Sequence, residues 1–272
     1  MRNRKSLAVL PVLLLLATTS LAAHDLFLKL DSYFVPPNSR VRVLVLNGTF
    51  SKSENSVEKE RIGDISLVSP SGVAKLDTSA WSDRGDTSIL SLRVGEAGTY
   101  IVGASVRPRE LRLEAKEFNQ YLTDDGLPDI VELRRKNGEL EKPARERYSK
   151  HVKAILQAGT RRTEGYATAL GYPAEIVPLE HPYSLRAGGW LRVRALVDGS
   201  PVMNQLVLSG GRTASGARIR ASSVRTDTSG VARIRIPVRG KWYVKFIHMQ
   251  PARGDTAIDY ESKWATLTFQ VR

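Results

Sequence analysis

Four histidines are the side chains best suited to chemistry in this chain of 272 residues, because it contains no cysteine. Without thiolates, a metal site must draw on imidazole, amine, carboxylate or amide oxygen. His24 follows the small-residue stretch Ser20-Leu21-Ala22-Ala23. Ahead of it, Arg2, Arg4 and Lys5 form a basic region, and residues 7–17 form an apolar run broken only by Pro11. This is the layout of a cleaved secretory signal peptide, too short and wrongly flanked for a membrane anchor. Cleavage after Ala23 gives His24 a free α-amine, and cleavage after Ala22 leaves Ala23-His24. Either end offers an amine and an imidazole to one nickel, cobalt, copper or zinc ion. The alternative is that His24 is simply the first residue of the first strand.

In the segment Trp242 to His248, a period of two places Trp242, Val244, Phe246 and His248 on one face. His24 shares a face in the same way with Leu26, Leu28 and Leu30. Two imidazoles at strand ends can converge on a metal at a domain seam, each fixed through its other ring nitrogen. His181, in the loop Glu180-His181-Pro182-Tyr183, is a third candidate donor. His151 lies beside Lys150 and Lys153, where like charge disfavours a cation, and is set aside. Met249 faces away from His248 in an ideal strand.

Catalytic patterns are missing. There is no nucleophile elbow and no His-Glu-x-x-His, and Gly188-Gly189 and Gly210-Gly211 lack the further residues of a phosphate loop. Asp124-Asp125 ahead of Gly126 reads as a helix end and not as an acid/base pair. The expectation is a binding protein and not an enzyme. An enzymatic reading would need a metal with an open position and a base such as Glu175 or Glu180.

The elements that must position these residues are mostly strands. After residues 1–23, short alternating runs over 24–107, bounded by turns such as Pro36-Pro37-Asn38 and Ser69-Pro70-Ser71-Gly72, predict a β-sandwich. Over 108–173 the charge density rises. Residues 114–122 read as a short helix and 144–158 as a longer one, with Tyr148, Val152, Ile155 and Leu156 as its apolar stripe. Alternation returns over 174–272, with turns at Asp198-Gly199 and Asp227-Thr228-Ser229-Gly230, and predicts a second sandwich. The expected fold is mainly β: two Ig-like antiparallel β-sandwich domains joined by a charged, partly helical insert. Trp190, Trp242, Trp264 and Phe269 fall on strands, where aromatic residues are usually core, although an exposed set would make a carbohydrate platform.

Formal charge is +13. The 41 basic residues less Arg2, Arg4 and Lys5 leave 38 against 28 acidic, a net +10 for the processed chain. The arginines alternate with apolar residues, as in Arg192-Val193-Arg194 and Arg233-Ile234-Arg235, which is the solvated face of strands and argues against nucleic acid.

Several segments resemble one family. They are Ala23-His24-Asp25-Leu26-Phe27-Leu28-Lys29, Leu46-Asn47-Gly48-Thr49-Phe50, Tyr121-Leu122-Thr123-Asp124-Asp125-Gly126-Leu127 and Glu146-Arg147-Tyr148-Ser149-Lys150. Gly171-Tyr172-Pro173-Ala174-Glu175-Ile176-Val177-Pro178 and Trp264-Ala265-Thr266-Leu267-Thr268-Phe269 extend the match over nearly the whole processed chain. Together they resemble an uncharacterised family of bacterial periplasmic proteins, a domain of unknown function often labelled as nickel-uptake or cobalt-transport accessory. The resemblance implies an exported, β-rich protein that handles a divalent transition metal or its chelate beside a membrane transporter component. The family pattern carries a histidine at the positions of His24 and His248, whereas its loop usually reads Asp-Pro-Tyr where this chain has His181-Pro182-Tyr183. The rival expectation is a non-catalytic module that binds an acidic envelope component or a protein partner, with salt-dependent association.

Overall fold

The computed structural model describes residues 24–272, and the signal peptide expected over residues 1–23 lies outside them. The first part of the chain forms β1 (Asp25–Lys29), β2 (Phe34–Val35), β3 (Arg40–Gly48), β4 (Ser53–Asn55), β5 (Ile62–Ser69), β6 (Gly72–Lys75), β7 (Trp81–Arg84), β8 (Thr87–Arg93) and β9 (Gly98–Leu113). Two helices, α1 (Ala115–Asp124) and α2 (Pro128–Lys136), lead into β10 (Ala144–Ala158). Then follow β11 (Ala174–Pro178), β12 (Gly189–Val197), β13 (Ser200–Pro201), β14 (Leu206–Thr213), β15 (Arg218–Arg225), β16 (Val231–Ile236), β17 (Gly240–Pro251) and β18 (Tyr260–Val271). The fold is mainly β, as the alternation implies. In β3, Val41, Val43 and Val45 are buried while Arg40 and Arg42 face solvent. In β12, Leu191, Val193 and Ala195 are buried between Trp190, Arg192 and Arg194. Asp198 and Gly199, both at positive φ, make the tight turn from β12 to β13.

Among the described residues the strands form three sheets. The first runs β1-β3-β8-β7, with β4 added to β3; the main sheet runs β15-β14-β17-β18-β10-β9-β5-β6, with β2 added to β10. In the third, β11 takes one edge of β12, and β13 and β16 take the other. Pairing is antiparallel except between β10 and its neighbours β18 and β2.

The main sheet draws strands from both halves of the chain, and its middle is covered on both faces. Lys150 Nζ donates to the backbone oxygen of His24, next to β1. Lys153 Nζ donates to Glu175 Oε2 in β11 at 2.8 Å. Residues three apart in a strand point to opposite faces. The first sheet therefore packs on one side of β10 and the third sheet on the other. A single apolar core runs through the layers, from Leu26 and Val43 through Ile155 and Leu267 to Leu191.

This double coverage corrects one sequence expectation. Residues 144–158 are not a helix but the central strand β10, paired with β9 along its length and with β18 over residues 146–154. Every residue from 149 to 158 is buried. A strand enclosed on both faces has no polar face to alternate with, so Tyr148, Val152, Ile155 and Leu156 mimic a helical stripe.

The helical part of the connector spans residues 115–136. The helix expected over 114–122 is α1, which packs Phe118, Tyr121 and Leu122 against Tyr260 and Trp264. Helix α2, absent from the sequence reading, starts on Pro128, whose missing N–H is harmless in a first turn. Its Arg134 is only 1% exposed and donates to Asn119 Oδ1 at 3.0 Å and to the carbonyls of Glu139 and Lys142 at 2.6 Å each. Among the described residues no helix is long and apolar enough to cross a membrane.

Candidate functional site

Strand β3 brings together the two residues that mark the site. Its end pairs with β1, Asp25 opposite Gly48, and also with β4, Asn47 opposite Asn55. His24 precedes β1 and Glu54 lies in β4, so the two side chains meet over the end of β3. His24 Nε2 and Glu54 Oε2 are 2.5 Å apart, with the side chains 22% and 44% exposed. Sequence reasoning missed Glu54, because a three-residue strand carries almost no periodic signal and its neighbour His24 is thirty positions upstream.

The pair forms part of the wall of a cleft of about 1080 Å³, whose lining also includes Glu58, Arg61, Arg109 and Lys150. Arg109 Nη1 stands 3.8 Å from Glu58 Oε1, so acids and bases are mixed along the wall. Lys150 is buried. Its ammonium lies over the rings of Tyr148 and Trp264 at 5.2 and 5.1 Å, and burial brings it down to about 8.

Behind Lys150 sits a buried ionic cluster. Lys245 Nζ donates to Asp25 Oδ2 at 2.6 Å and to Asp125 Oδ1 at 3.4 Å. Burial works against the Lys245 charge, but the two carboxylates outweigh it and hold its pKa above the usual lysine value. Burial raises Asp125 to about 7, despite the pull of Lys245. It does the same to Glu146, whose Oε1 accepts from the hydroxyls of Tyr121 and Ser262. Asp25 Oδ1 and Glu146 Oε2 are buried without a hydrogen-bond partner.

The other histidines lie elsewhere. His248 pairs with Lys263 and Lys263 with Ser149, so all three share the face of the main sheet opposite Lys150 and His24. His248 Nδ1 is 3.1 Å from Gln205 Oε1, and burial lowers its pKa. His181 is buried at the start of a short turn. Its Nε2 is 2.9 Å from Thr99 Oγ1 and its Nδ1 accepts from the Tyr183 N–H at 3.2 Å, so both nitrogens are engaged. His151 is buried in β10 between Ser105 and Ser149, with both ring nitrogens in hydrogen bonds. The three expected donors His24, His181 and His248 thus stand in three separate neighbourhoods. Among the described residues no group of three or more histidines and carboxylates is placed to hold a metal.

The model of one protein family, described as a domain of unknown function (DUF4198), matches residues 21–250 of this chain. The chain belongs to the DUF4198 family. The match takes in the whole cleft, including His24, Glu54 and Lys150. No curated relative of this DUF4198 chain was matched. Among solved structures, a two-domain fibronectin type III segment from chicken tenascin aligns at 11% identity over 91% of this chain and 98% of its own. The TM-score of that alignment is 0.23.

Proposed function

We propose that this protein is an exported, periplasmic binding protein for a divalent transition metal, of the nickel, cobalt, copper or zinc class, or for a small complex of such a metal. It acts in metal uptake or handling beside a membrane transporter component, and it is not an enzyme. The observation that carries this reading is the His24–Glu54 pair on the wall of the cleft. An imidazole and a carboxylate meet at one point, and removal of a leader after Ala23 adds the α-amine of His24 to the same residue. Two nitrogens and one oxygen suit a borderline metal. A cleft of about 1080 Å³ has room for the rest of a chelate, since small-molecule pockets hold roughly 300–1,000 Å³. His181 contributes nothing to this set because both its nitrogens are committed, and His248 lies across the main sheet.

The experiment is a calorimetric titration of nickel and copper into the exported, signal-processed protein, with His24→Ala alongside. One-to-one binding at micromolar affinity or tighter, lost in the variant, supports the reading. No affinity tighter than about 100 μM in the processed protein ends it.

A further inference from the structure

The outward face of the third sheet carries an arrangement that the cleft does not use. Strands β12 and β16 pair with Trp190 opposite Arg235 and Arg192 opposite Arg233. The intervening Leu191, Val193, Ala232, Ile234 and Ile236 are all buried, so the tryptophan and the three arginines project outward. Trp190 is 46% exposed, whereas Trp81, Trp242 and Trp264 are at most 3% exposed. The guanidinium groups of Arg233 and Arg235 lie 5.1 and 5.2 Å from the centre of its ring. Past the end of β16, Pro237, Val238 and Arg239 are exposed in the turn to β17. The Gly188 N–H donates to the Ile236 carbonyl at 2.7 Å, which brings the loop carrying exposed Arg186 alongside.

This face and the two turns at its end therefore carry five exposed arginines and two exposed apolar side chains, Trp190 and Val238. Arg192 pairs with Glu180. Arg186, Arg233, Arg235 and Arg239 make no ion pair among the described residues. Glu180 offsets the charge of Arg192, which stands opposite Arg233, and leaves the other four arginines uncompensated near the exposed indole.

We propose that this face docks the protein onto an anionic phospholipid surface. Guanidinium groups pair with phosphate oxygens through parallel hydrogen bonds. An indole settles at headgroup depth, with its ring in the apolar boundary and its N–H toward water. Val238, 38% exposed at the turn, enters beside it. A soluble polyanion would engage the arginines and leave Val238 without a role, so the apolar pair selects a lipid surface.

The test is co-sedimentation of the processed protein with phosphatidylcholine vesicles, with and without about one third phosphatidylglycerol. Because the other three tryptophans are buried, a fluorescence change on binding reports Trp190. The expected result is association with the anionic vesicles alone, weakened by salt, with a blue shift and reduced acrylamide quenching. Arg233→Gln/Arg235→Gln should lower affinity about five-fold per arginine removed, which corresponds to ~1 kcal/mol for each basic residue at such a surface. Arg218→Gln/Arg220→Gln, exposed on β15, should bind as wild type. Equal association with both vesicle types, an unaffected Arg233/Arg235 variant, or binding to soluble polygalacturonate without binding to vesicles would overturn the proposal. All substituted residues are exposed, so circular dichroism of each variant should match the wild type.

Discussion

Lys153 Nζ and Glu175 Oε2 meet at 2.8 Å with both side chains only 2% exposed, tying the central strand of the main sheet to the third sheet. Burial lowers the lysine pKa and Glu175 pulls it back up. The carboxylate also accepts from the backbone N–H groups of Leu170 and Tyr172, at 2.9 and 2.7 Å. Breaking a buried pair strands the remaining charge. Lys153→Met should therefore cost ~3–5 kcal/mol in urea unfolding, and adding Glu175→Gln should recover part of the loss.

Glu146 should give stability a pH dependence. Burial raises its carboxyl from 4.5 to about 7, so the folded protein holds a proton that the unfolded chain releases earlier. Stability from this group is complete below about pH 4.5 and declines as pH rises to about 7. His151 opposes it, because burial lowers its imidazole to about 4 and its contribution therefore grows as pH rises from about 4 to 6.5. Comparing wild type with Glu146→Gln cancels the histidine. Across about pH 4.5 to 7, the wild type should lose ~2–3 kcal/mol relative to the variant in paired thermal melts.

Arg134 holds the connector in place through three hydrogen bonds, and its guanidinium lies 4.9 Å from the centre of the Phe118 ring. Arg134→Met keeps the packing volume but removes the donors to the Asn119 side chain and to the Glu139 and Lys142 carbonyls, and the charge that lies over the Phe118 ring. The expected cost is ~2–4 kcal/mol, with amide exchange fastest over residues 137–143 in a hydrogen-exchange experiment.

At the cleft, Glu54→Gln should weaken nickel binding by about ten- to a hundred-fold, the range seen when a group orienting or joining a metal ligand is lost. His181→Ala should leave the affinity unchanged. Nickel calorimetry on the two variants checks both outcomes.

How far the sequence was readable depended on how many faces an element buries. β3, β12 and β16 each bury one face, and their alternation was plain. β10 buries two, and its lysines find partners in β11 and beside β1, far away in sequence, so charge density suggested a helix instead. Helix α2 did carry a usable signal, with Pro128 and Asp129 at its start and Arg134, Arg135 and Lys136 at its end. Asp125 was read correctly as a helix end, but nothing local announces its bond to Lys245. His24 was legible from the small residues before it. Glu54 was not, since it depends on the two neighbours that share the end of β3.

Because β10 supports a layer on each side, neither layer has a floor of its own to melt on. Trp81 lies in β7 of the first sheet, and Trp242 lies in β17 on the His248 face of the main sheet, toward the third; both are buried in the continuous core. Single-tryptophan variants that keep one or the other should report the same denaturation midpoint, and the protein should come apart in one step although its sequence reads as two halves.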